Sequence, residues 1–169
     1  MKRVLIIGNS GSGKSWLSSH LSSLLRVKEV NLDSVVWEPG GYNQKRSQES
    51  IDSELDKLSS ESSWVVEGVF GALAEKLVSS AEMLIFLDMD WPLCQQSLLS
   101  RGSESSKQLD SELAEKNFQA LLNWASEYGS RTSKSSHEYH NQLYADFKGD
   151  KLRFSTREEV NAFIFSASS

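Results

Sequence analysis

The sequence predicts an α/β fold in which a parallel β-sheet is covered by helices on both faces. Five short apolar runs alternate along the chain with segments whose apolar residues recur at helical spacing. A glycine-rich loop joins the first apolar run to the first helical segment, and acidic residues follow the second, third and fourth runs. This alternation favours parallel strands, because parallel neighbours need long crossover connections that helices can supply.

The first strand and the first helix are predicted near the amino-terminal end of the sequence. The run from Arg3 to Ile7 holds four consecutive aliphatic residues, which is typical of a strand buried on both faces. Gly8 ends this run. The helix from Lys14 to Leu25 is predicted from leucines on one face, at Leu17, Leu21, Leu24 and Leu25.

The second and third strands are predicted at Val27 to Leu32 and at Trp64 to Glu67. Asp33 follows the second strand, and Gly68 ends the third. A polar helix between the two strands is predicted from one apolar face, formed by Ile51, Leu55 and Leu58.

The fourth strand is predicted at Met83 to Leu87, where the apolar run stops at Asp88. Pro92 is placed suitably for the first turn of the helix that follows. After the polar segment from Ser100 to Asp110, a long helix is expected to end near Gly129. Its apolar residues are Leu113, Phe118, Leu121, Leu122 and Trp124.

The last strand and the last helix follow a second polar break, from Ser130 to Ser136. The strand is predicted at Lys151 to Phe154. Ser155 and Glu158 match a capping box, which marks the start of a helix. That helix carries Val160, Phe163 and Ile164.

Length and composition favour one domain that spans residues 1–169, since no proline- and glycine-rich linker divides the chain. We expect a cytoplasmic protein without a membrane partner, because no signal-peptide pattern and no bilayer-length apolar run is present. The net charge of −5 disfavours a nucleic-acid partner. Cys94 is the one cysteine, so we expect a small buried apolar residue and neither an internal disulfide nor a zinc cluster.

The segment from Gly8 to Ser15 reads Gly-Asn-Ser-Gly-Ser-Gly-Lys-Ser and matches the phosphate-binding loop of nucleotide-binding proteins. Its backbone N–H groups and the positive end of the helix dipole can surround phosphate oxygens. Lys14 would reach the β- and γ-phosphates of a nucleoside triphosphate, and the Ser15 hydroxyl would bind Mg²⁺. The predicted nucleotide-binding residues are Gly8, Asn9, Ser10, Gly11, Ser12, Gly13, Lys14, Ser15 and Trp16.

The alternative is a plain glycine turn with Lys14 as a solvated residue of the first helical turn. A positive side chain opposes the helix dipole at that position, so a bound anion is the natural compensation.

Three carboxylates fall at the carboxyl ends of predicted strands, where open parallel sheets bind their ligands. We assign Glu67 to Mg²⁺, held through water, and Asp33 to orienting or deprotonating an acceptor hydroxyl. A structural role for Asp33 stays open. Asp88 and the nearby Asp90 precede Pro92, so helix capping explains them at least as well as chemistry does.

Taken together, these motifs resemble the adenylate-kinase-like P-loop kinases, and more closely the bacterial topology-modulation (FlaR-type) proteins. The resemblance covers nearly the whole chain, and only the phosphate loop is specific by itself. The other residues that carry it are Asn31-Leu32-Asp33 with Trp37-Glu38-Pro39-Gly40, Trp64-Val65-Val66-Glu67-Gly68, and Ile85-Phe86-Leu87-Asp88 with Arg101.

The resemblance implies a P-loop NTPase fold with a five-stranded parallel sheet of order 2-3-1-4-5. It also implies a helical lid, residues 100–136, that closes over ATP. Arg101 matches the first arginine of that lid, and it joins Lys14 and Asp33 as the predicted catalytic residues.

Two features depart from that family. Between Arg101 and Arg131 the only basic residues are Lys107 and Lys116, and a lysine does not replace the bidentate guanidinium groups that a phosphoryl transition state favours. Arg131 could supply the second charge, but an exposed arginine in a serine-rich break is more often solvated. Trp16 stands where the relatives usually have threonine, which would alter packing behind the loop or the nucleotide site.

The remaining aromatic and histidine residues give weaker signals. Trp37 and Tyr42 fit the wall of an acceptor pocket or ordinary packing. His20, His137 and His140 lack metal or triad spacing, so no chemistry is assigned to them.

The functional prediction is a kinase that uses ATP and Mg²⁺ to phosphorylate a small acceptor, such as a nucleotide or a nucleoside-like molecule. One alternative is a nucleotide-binding regulator related to DNA topology, with little catalysis. Another is a nucleotide hydrolase, although no water-orienting glutamine or sensor arginine is evident. The acceptor, the choice between ATP and GTP, and the oligomeric state are not predicted.

Overall fold

A computed structural model describes residues 2–38, 44–102 and 111–169 of the chain. The strands are β1 (Arg3–Gly8), β2 (Glu29–Asn31), β3 (Trp64–Gly68), β4 (Met83–Leu87) and β5 (Asp150–Phe154). The helices are α1 (Lys14–Leu25), α2 (Leu32–Val36), α3 (Gln48–Ser60), α4 (Gly71–Leu77), α5 (Trp91–Arg101), α6 (Ser111–Ser126), α7 (His137–Asp146) and α8 (Arg157–Ala167). None of these helices is both long and apolar enough to cross a membrane.

All five strands are parallel and form one sheet in the order β2-β3-β1-β4-β5. The predicted fold class and strand order are therefore confirmed. In the central strand, Ile6 lies beside Glu67 of β3 and Ile85 of β4. This register brings the end of β1, where the glycine-rich loop begins, next to the Glu67 carboxylate.

Helices pack on both faces of the sheet because the buried strands are apolar on both sides. Leu5 and Ile7 of β1 belong to a core shared with α2, α3, α4 and α7. Val4 and Ile6 belong to a second core, on the opposite face, which includes residues of α1, α5 and α8. Each fully buried aliphatic side chain contributes roughly 1.5–3 kcal/mol, so two such cores make the sheet a firm support for the loops at its edge.

The second strand is shorter than predicted and ends at Asn31. The Asn31 side chain accepts a hydrogen bond from the Asp33 backbone N–H at 2.8 Å and so caps α2. Leu32 is thus the first residue of a short helix and no part of a strand. Asp33 lies in the first turn of that helix, close to the strand end at which it was predicted.

The capping box of the last helix lies one residue later than predicted. Thr156 accepts from the Glu159 backbone N–H at 3.2 Å, and the Glu159 carboxylate accepts from the Thr156 backbone N–H at 3.1 Å. Ser155 instead adds its own hydrogen bonds to Glu159. The assignment to Ser155 and Glu158 was therefore wrong by one position.

Helix α7 was not predicted, since the sequence analysis placed no helix between the second polar break and the last strand. Ser136, the last residue of that break, caps α7 by accepting from the Tyr139 backbone N–H at 3.1 Å. The buried residues of α7 are His140 and Leu143. Two short helices, α2 and α4, were also not predicted.

Candidate functional site

The glycine-rich loop lies between β1 and α1, at the carboxyl-terminal edge of the sheet. Gly11 and Gly13 have φ angles of +81° and +100°, which residues with a Cβ atom rarely adopt. Gly11 also packs tightly on α5, because a Cβ there would lie 2.5 Å from the Cys94 carbonyl oxygen and 2.9 Å from Leu98 Cγ. The loop conformation and its close contact with α5 both require glycine.

The Lys14 ammonium lies inside the loop and is buried. Its Nζ donates to the Asn9 carbonyl oxygen at 2.7 Å. Burial lowers the pKa of Lys14, while the negative charges of Glu67 and Asp33 oppose that change. Because an ammonium has three donors, Lys14 can contact phosphate oxygens and keep its bond to Asn9.

Ser15 and Glu67, the two residues predicted to bind Mg²⁺, lie side by side. The Ser15 hydroxyl donates to Glu67 Oε1 at 3.2 Å. Burial raises the pKa of the Glu67 carboxyl, opposed by the Lys14 charge and by the hydrogen bond from Ser15. Carboxylate and hydroxyl oxygens are hard ligands of the kind Mg²⁺ prefers.

The donor set fits an ion held partly by its nucleotide. In the described part of the chain, no group of three or more His, Cys, Asp or Glu side chains is arranged to bind a metal. Mg²⁺ usually takes few ligands from a protein and the rest from phosphates and water. Ser15 and Glu67 are therefore suitable as a pair, provided that a triphosphate supplies further oxygens.

Asp33 and Arg101 belong electrostatically to the same site. Partial desolvation raises the pKa of Asp33, although much of this residue contacts solvent, and the charges of Lys14 and Arg101 lower it. Arg101, at the end of α5, also contributes to lowering the pKa of Lys14, after the larger effect of burial. The structure thus places the three residues predicted as catalytic near enough for their charges to affect one another.

Asp88 and Asp90 have structural partners. Asp90 caps α5 by accepting from the Leu93 backbone N–H at 3.1 Å. Asp88 accepts from Arg153 Nε at 3.0 Å, and its second oxygen lies 2.9 Å from His137 Nε2. These contacts favour the structural interpretation of both carboxylates.

Helix α6 occupies part of the predicted lid region and contacts the phosphate loop directly. The Asn9 side-chain amide donates to the Ala125 carbonyl oxygen at 3.1 Å, in a buried position. The other atom of that amide, Oδ1, accepts from the Ser10 backbone N–H at 2.8 Å. Asn9 therefore links the loop to the end of α6. Lys107 of the predicted lid lies outside the described residues.

Arg131 is partly buried, contrary to the expectation of a solvated side chain. Its Nε donates to the Ser135 carbonyl oxygen at 2.8 Å, and Nη1 donates to the Trp124 carbonyl oxygen. The guanidinium lies 3.9 Å from the centroid of the Trp124 ring. These contacts hold Arg131 against the end of α6, so it serves packing there.

Three aromatic residues were considered for the nucleotide site or an acceptor pocket. Trp16 is 45% exposed and stacks on His20, with ring centroids 4.0 Å apart, so it does not pack behind the loop. Trp37 is partly buried next to α2. Tyr42 lies outside the described residues.

His140 is fully buried between Tyr128 and the backbone at Val69. Its Nδ1 lies 2.6 Å from the Tyr128 hydroxyl and its Nε2 lies 2.8 Å from the Val69 carbonyl oxygen. A carbonyl only accepts, so Nε2 carries the proton and Nδ1 accepts from the tyrosine. Burial lowers the pKa of His140 to about 3, which makes it a neutral structural residue.

Arg157 is a site residue that the sequence analysis missed. Its guanidinium donates to the Ser12 carbonyl oxygen, to the Gly11 carbonyl oxygen at 3.1 Å and to Ser97 Oγ at 2.7 Å. One signal was available in the sequence. Arg157 occupies the first turn of α8, where a positive charge is unfavourable, as was argued for Lys14.

Comparison with known proteins finds structural likeness without sequence likeness. No family model matches the sequence, and no curated protein is significantly similar to it. A gluconokinase from Sinorhizobium meliloti 1021 has a TM-score of 0.58 at 13% identity, over 99% of this chain and 91% of that chain.

Two further solved structures have the same fold. A shikimate kinase from Acinetobacter baumannii in complex with shikimate has a TM-score of 0.54 at 15% identity, over 97% of this chain and 91% of that chain. The YorR protein from Bacillus subtilis, in complex with phosphorylated GDP, has a TM-score of 0.52 at 15% identity, over 96% and 94%. At these identities the likeness establishes the fold that this chain shares with P-loop kinases.

Proposed function

We propose that this chain is a kinase that transfers the γ-phosphoryl group of ATP, with Mg²⁺, to a hydroxyl of a small acceptor. The observation that carries the proposal is the buried Lys14 ammonium inside the phosphate loop, next to the hydrogen-bonded pair of Ser15 and Glu67. A structural turn has no need of a buried ammonium among separate carboxylates. The names of two structural neighbours, a shikimate kinase and a gluconokinase, support the same reaction class.

The phosphate loop and Lys14 bind the triphosphate in this proposal. Backbone N–H groups of the loop donate to phosphate oxygens, and Lys14 neutralises charge on the β- and γ-phosphates. Ser15 and Glu67 hold Mg²⁺, which, when bound, withdraws negative charge from the phosphate oxygens. Both residues thereby orient the γ-phosphoryl group toward the acceptor.

Asp33 and Arg101 act on the acceptor side. The Asp33 carboxylate orients the acceptor hydroxyl and takes its proton as the oxygen attacks the γ-phosphorus and the bond to the leaving phosphate oxygen breaks. Arg101 stabilises charge on the transferring group. The predicted lid, residues 100–136 of a single kinase-like domain 1–169, excludes water, which would otherwise compete as acceptor.

The acceptor belongs, in this proposal, to the small hydroxylated molecules. Two neighbours are a shikimate kinase with bound shikimate and a gluconokinase, and a third was solved with phosphorylated GDP. Candidate acceptors are therefore nucleotides and nucleoside-like molecules as well as hydroxy acids. Three further expectations belong to the same proposal. They are the closer resemblance to topology-modulation proteins, a contact between Trp16 and the nucleotide, and a cytoplasmic location.

The test is a single-turnover assay with radiolabelled ATP, Mg²⁺ and a panel of nucleotides, nucleosides, shikimate and gluconate. We expect label to appear in one acceptor class, and Asp33→Asn to slow that transfer by about a hundredfold or more with nucleotide affinity retained. Asp56→Asn is the matched control, since Asp56 is exposed on α3. Slow hydrolysis without transfer to any acceptor would contradict the kinase proposal.

A nucleotide-binding regulator with little catalysis is the second candidate. The observation that favours it is that the Arg131 guanidinium is bound to main-chain carbonyl oxygens and lies over the Trp124 ring. The sequence of the lid region, residues 100–136, then leaves Arg101 as its remaining arginine. Stimulation of ATP consumption by an acceptor supports the kinase, stimulation by DNA supports the regulator, and indifference to both leaves hydrolysis or plain nucleotide binding.

A further inference from the structure

The Arg157 guanidinium lies on the carbonyl side of the phosphate loop. It donates to the carbonyl oxygens of Gly11 and Ser12, two consecutive residues of the loop. A Cβ on Gly13 would meet the guanidinium, so glycine at that position leaves the space that Arg157 fills. A charged fork held by neighbouring carbonyls is a specific contact, because two parallel bonds fix its orientation.

These two contacts determine which way the loop amides face. In a trans peptide the carbonyl and the N–H of one unit point in opposite directions. Carbonyls of Gly11 and Ser12 that point to Arg157 therefore direct the N–H groups of Ser12 and Gly13 to the other side of the loop. In agreement, the Ser12 N–H donates to the Asn9 carbonyl at 3.2 Å, the same oxygen that accepts Lys14 Nζ.

Arg157 also ties the loop to α5, the helix that ends at Arg101. Its Nη2 donates to Ser97 Oγ at 2.7 Å. Ser97 and Arg101 are four residues apart, so they share one face of α5. Cys94 and Leu98, on which Gly11 packs closely, lie beside Ser97 in the same part of α5.

We propose that Arg157 is a positioning residue that keeps the Gly13 amide facing the phosphates and sets the distance between the loop and Arg101. This inference rests on the proposed function, since it assigns Arg157 to the same nucleotide site. Arg157 acts through the loop and through α5, and it takes no part in the chemical step.

The experiment measures Mg-ADP affinity by calorimetry and phosphoryl transfer for the wild type, Arg157→Ala, Arg157→Lys, Ser97→Ala and Arg3→Ala. We expect Arg157→Ala to weaken Mg-ADP binding by about tenfold to a hundredfold, the effect of losing one hydrogen bond to a charged group. Arg157→Lys should lie between, because an ammonium lacks the fork. Arg3→Ala, which removes an exposed pair with Glu82 far from the loop, should match the wild type.

Ser97→Ala separates positioning from a general loss of stability. It keeps the contacts of Arg157 with the loop and removes the tie to α5, so kcat should fall about tenfold or more with Mg-ADP affinity unchanged. Thermal unfolding of each nucleotide-free variant checks the fold, and if Arg157→Ala does not fold, Arg157→Lys and Ser97→Ala decide the question.

The outcomes distinguish this inference from the proposed function. If the wild type does not bind Mg-ADP, the proposed function fails and this inference fails with it. If the wild type binds but the Arg157 variants bind as tightly and turn over as fast as Arg3→Ala, the positioning role alone is overturned.

Discussion

Replacing Gly11 by alanine tests the contact between the phosphate loop and α5. Two separate penalties apply at this position. The φ angle of +81° lies in the left-handed region, which costs an alanine about 1–2 kcal/mol. The new Cβ would lie 2.5 Å from the Cys94 carbonyl oxygen, and overpacking of this kind costs roughly 1–3 kcal/mol.

The two penalties add to about 2–5 kcal/mol. For a chain of this length, 1 kcal/mol lowers Tm by about 2–4 °C, so we expect Gly11→Ala to lower Tm by roughly 10 °C. Nucleotide affinity should fall as well, since α5 must move away from the loop. Thermal unfolding followed by circular dichroism measures the first effect, and calorimetry with Mg-ADP the second.

Three other glycines separate the penalties. Gly102 has a φ of +67° and, among the described atoms, nothing within 4 Å of a new Cβ, so Gly102→Ala reports the backbone cost alone. Gly68→Ala reports the steric cost, against Leu32 Cβ at 2.6 Å. Gly129→Ala should change little. The reasoning is refuted if Gly11→Ala is no less stable than Gly129→Ala.

Three more predictions concern ionisable groups. Since desolvation raises the pKa of Asp33, a base role places the acid limb of kcat/KM above the ordinary aspartate range, and Asp33→Asn should remove that limb from the pH profile. Burial lowers the pKa of His140 to about 3, so the unfolded chain binds this proton first. The free energy of unfolding should then fall by about 1.4 kcal/mol per pH unit below the ordinary histidine pKa, and chemical denaturation of His140→Gln should show a shallower fall. Burial raises the pKa of Cys94 from 9.0 to about 11, so iodoacetamide should label the native thiol about a hundredfold more slowly than the thiol in urea, and equal rates would contradict its burial.

The fold could be predicted where a short segment carries all the information. Met83 to Leu87 is apolar without interruption, and the structure has a strand with these bounds, buried throughout. The second strand was less accurate because three residues, two of them exposed, carry little pattern. Its end is decided by the Asn31 cap on α2, a local competition that hydrophobic periodicity does not report.

Helix α7 was missed for a related reason. Its buried residues are His140 and Leu143, and a buried histidine is not part of an apolar pattern. His140 is stabilised there by the Tyr128 hydroxyl and the Val69 carbonyl. Those partners come from distant parts of the chain, so this helix depends on tertiary contacts.

The site was predictable as far as its residues follow strand ends. Lys14, Ser15 and Glu67 were placed together correctly because β1 and β3 are adjacent and parallel. Arg157 was not predictable in the same way, since it lies 145 residues from Ser12 in the sequence. Its contact requires the position of β5 and α8, which the weak last strand did not supply.

The central claim is that the loop around Lys14 binds a triphosphate, and calorimetry with Mg-ATP tests it most directly. The wild type should bind with measurable heat that requires Mg²⁺, and Lys14→Ala should weaken binding by about a hundredfold, the equivalent of roughly 2.7 kcal/mol. Lys28→Ala, which alters a surface ion pair with Glu61, should bind like the wild type. An absence of binding by the wild type, or equal binding by Lys14→Ala, would contradict the account.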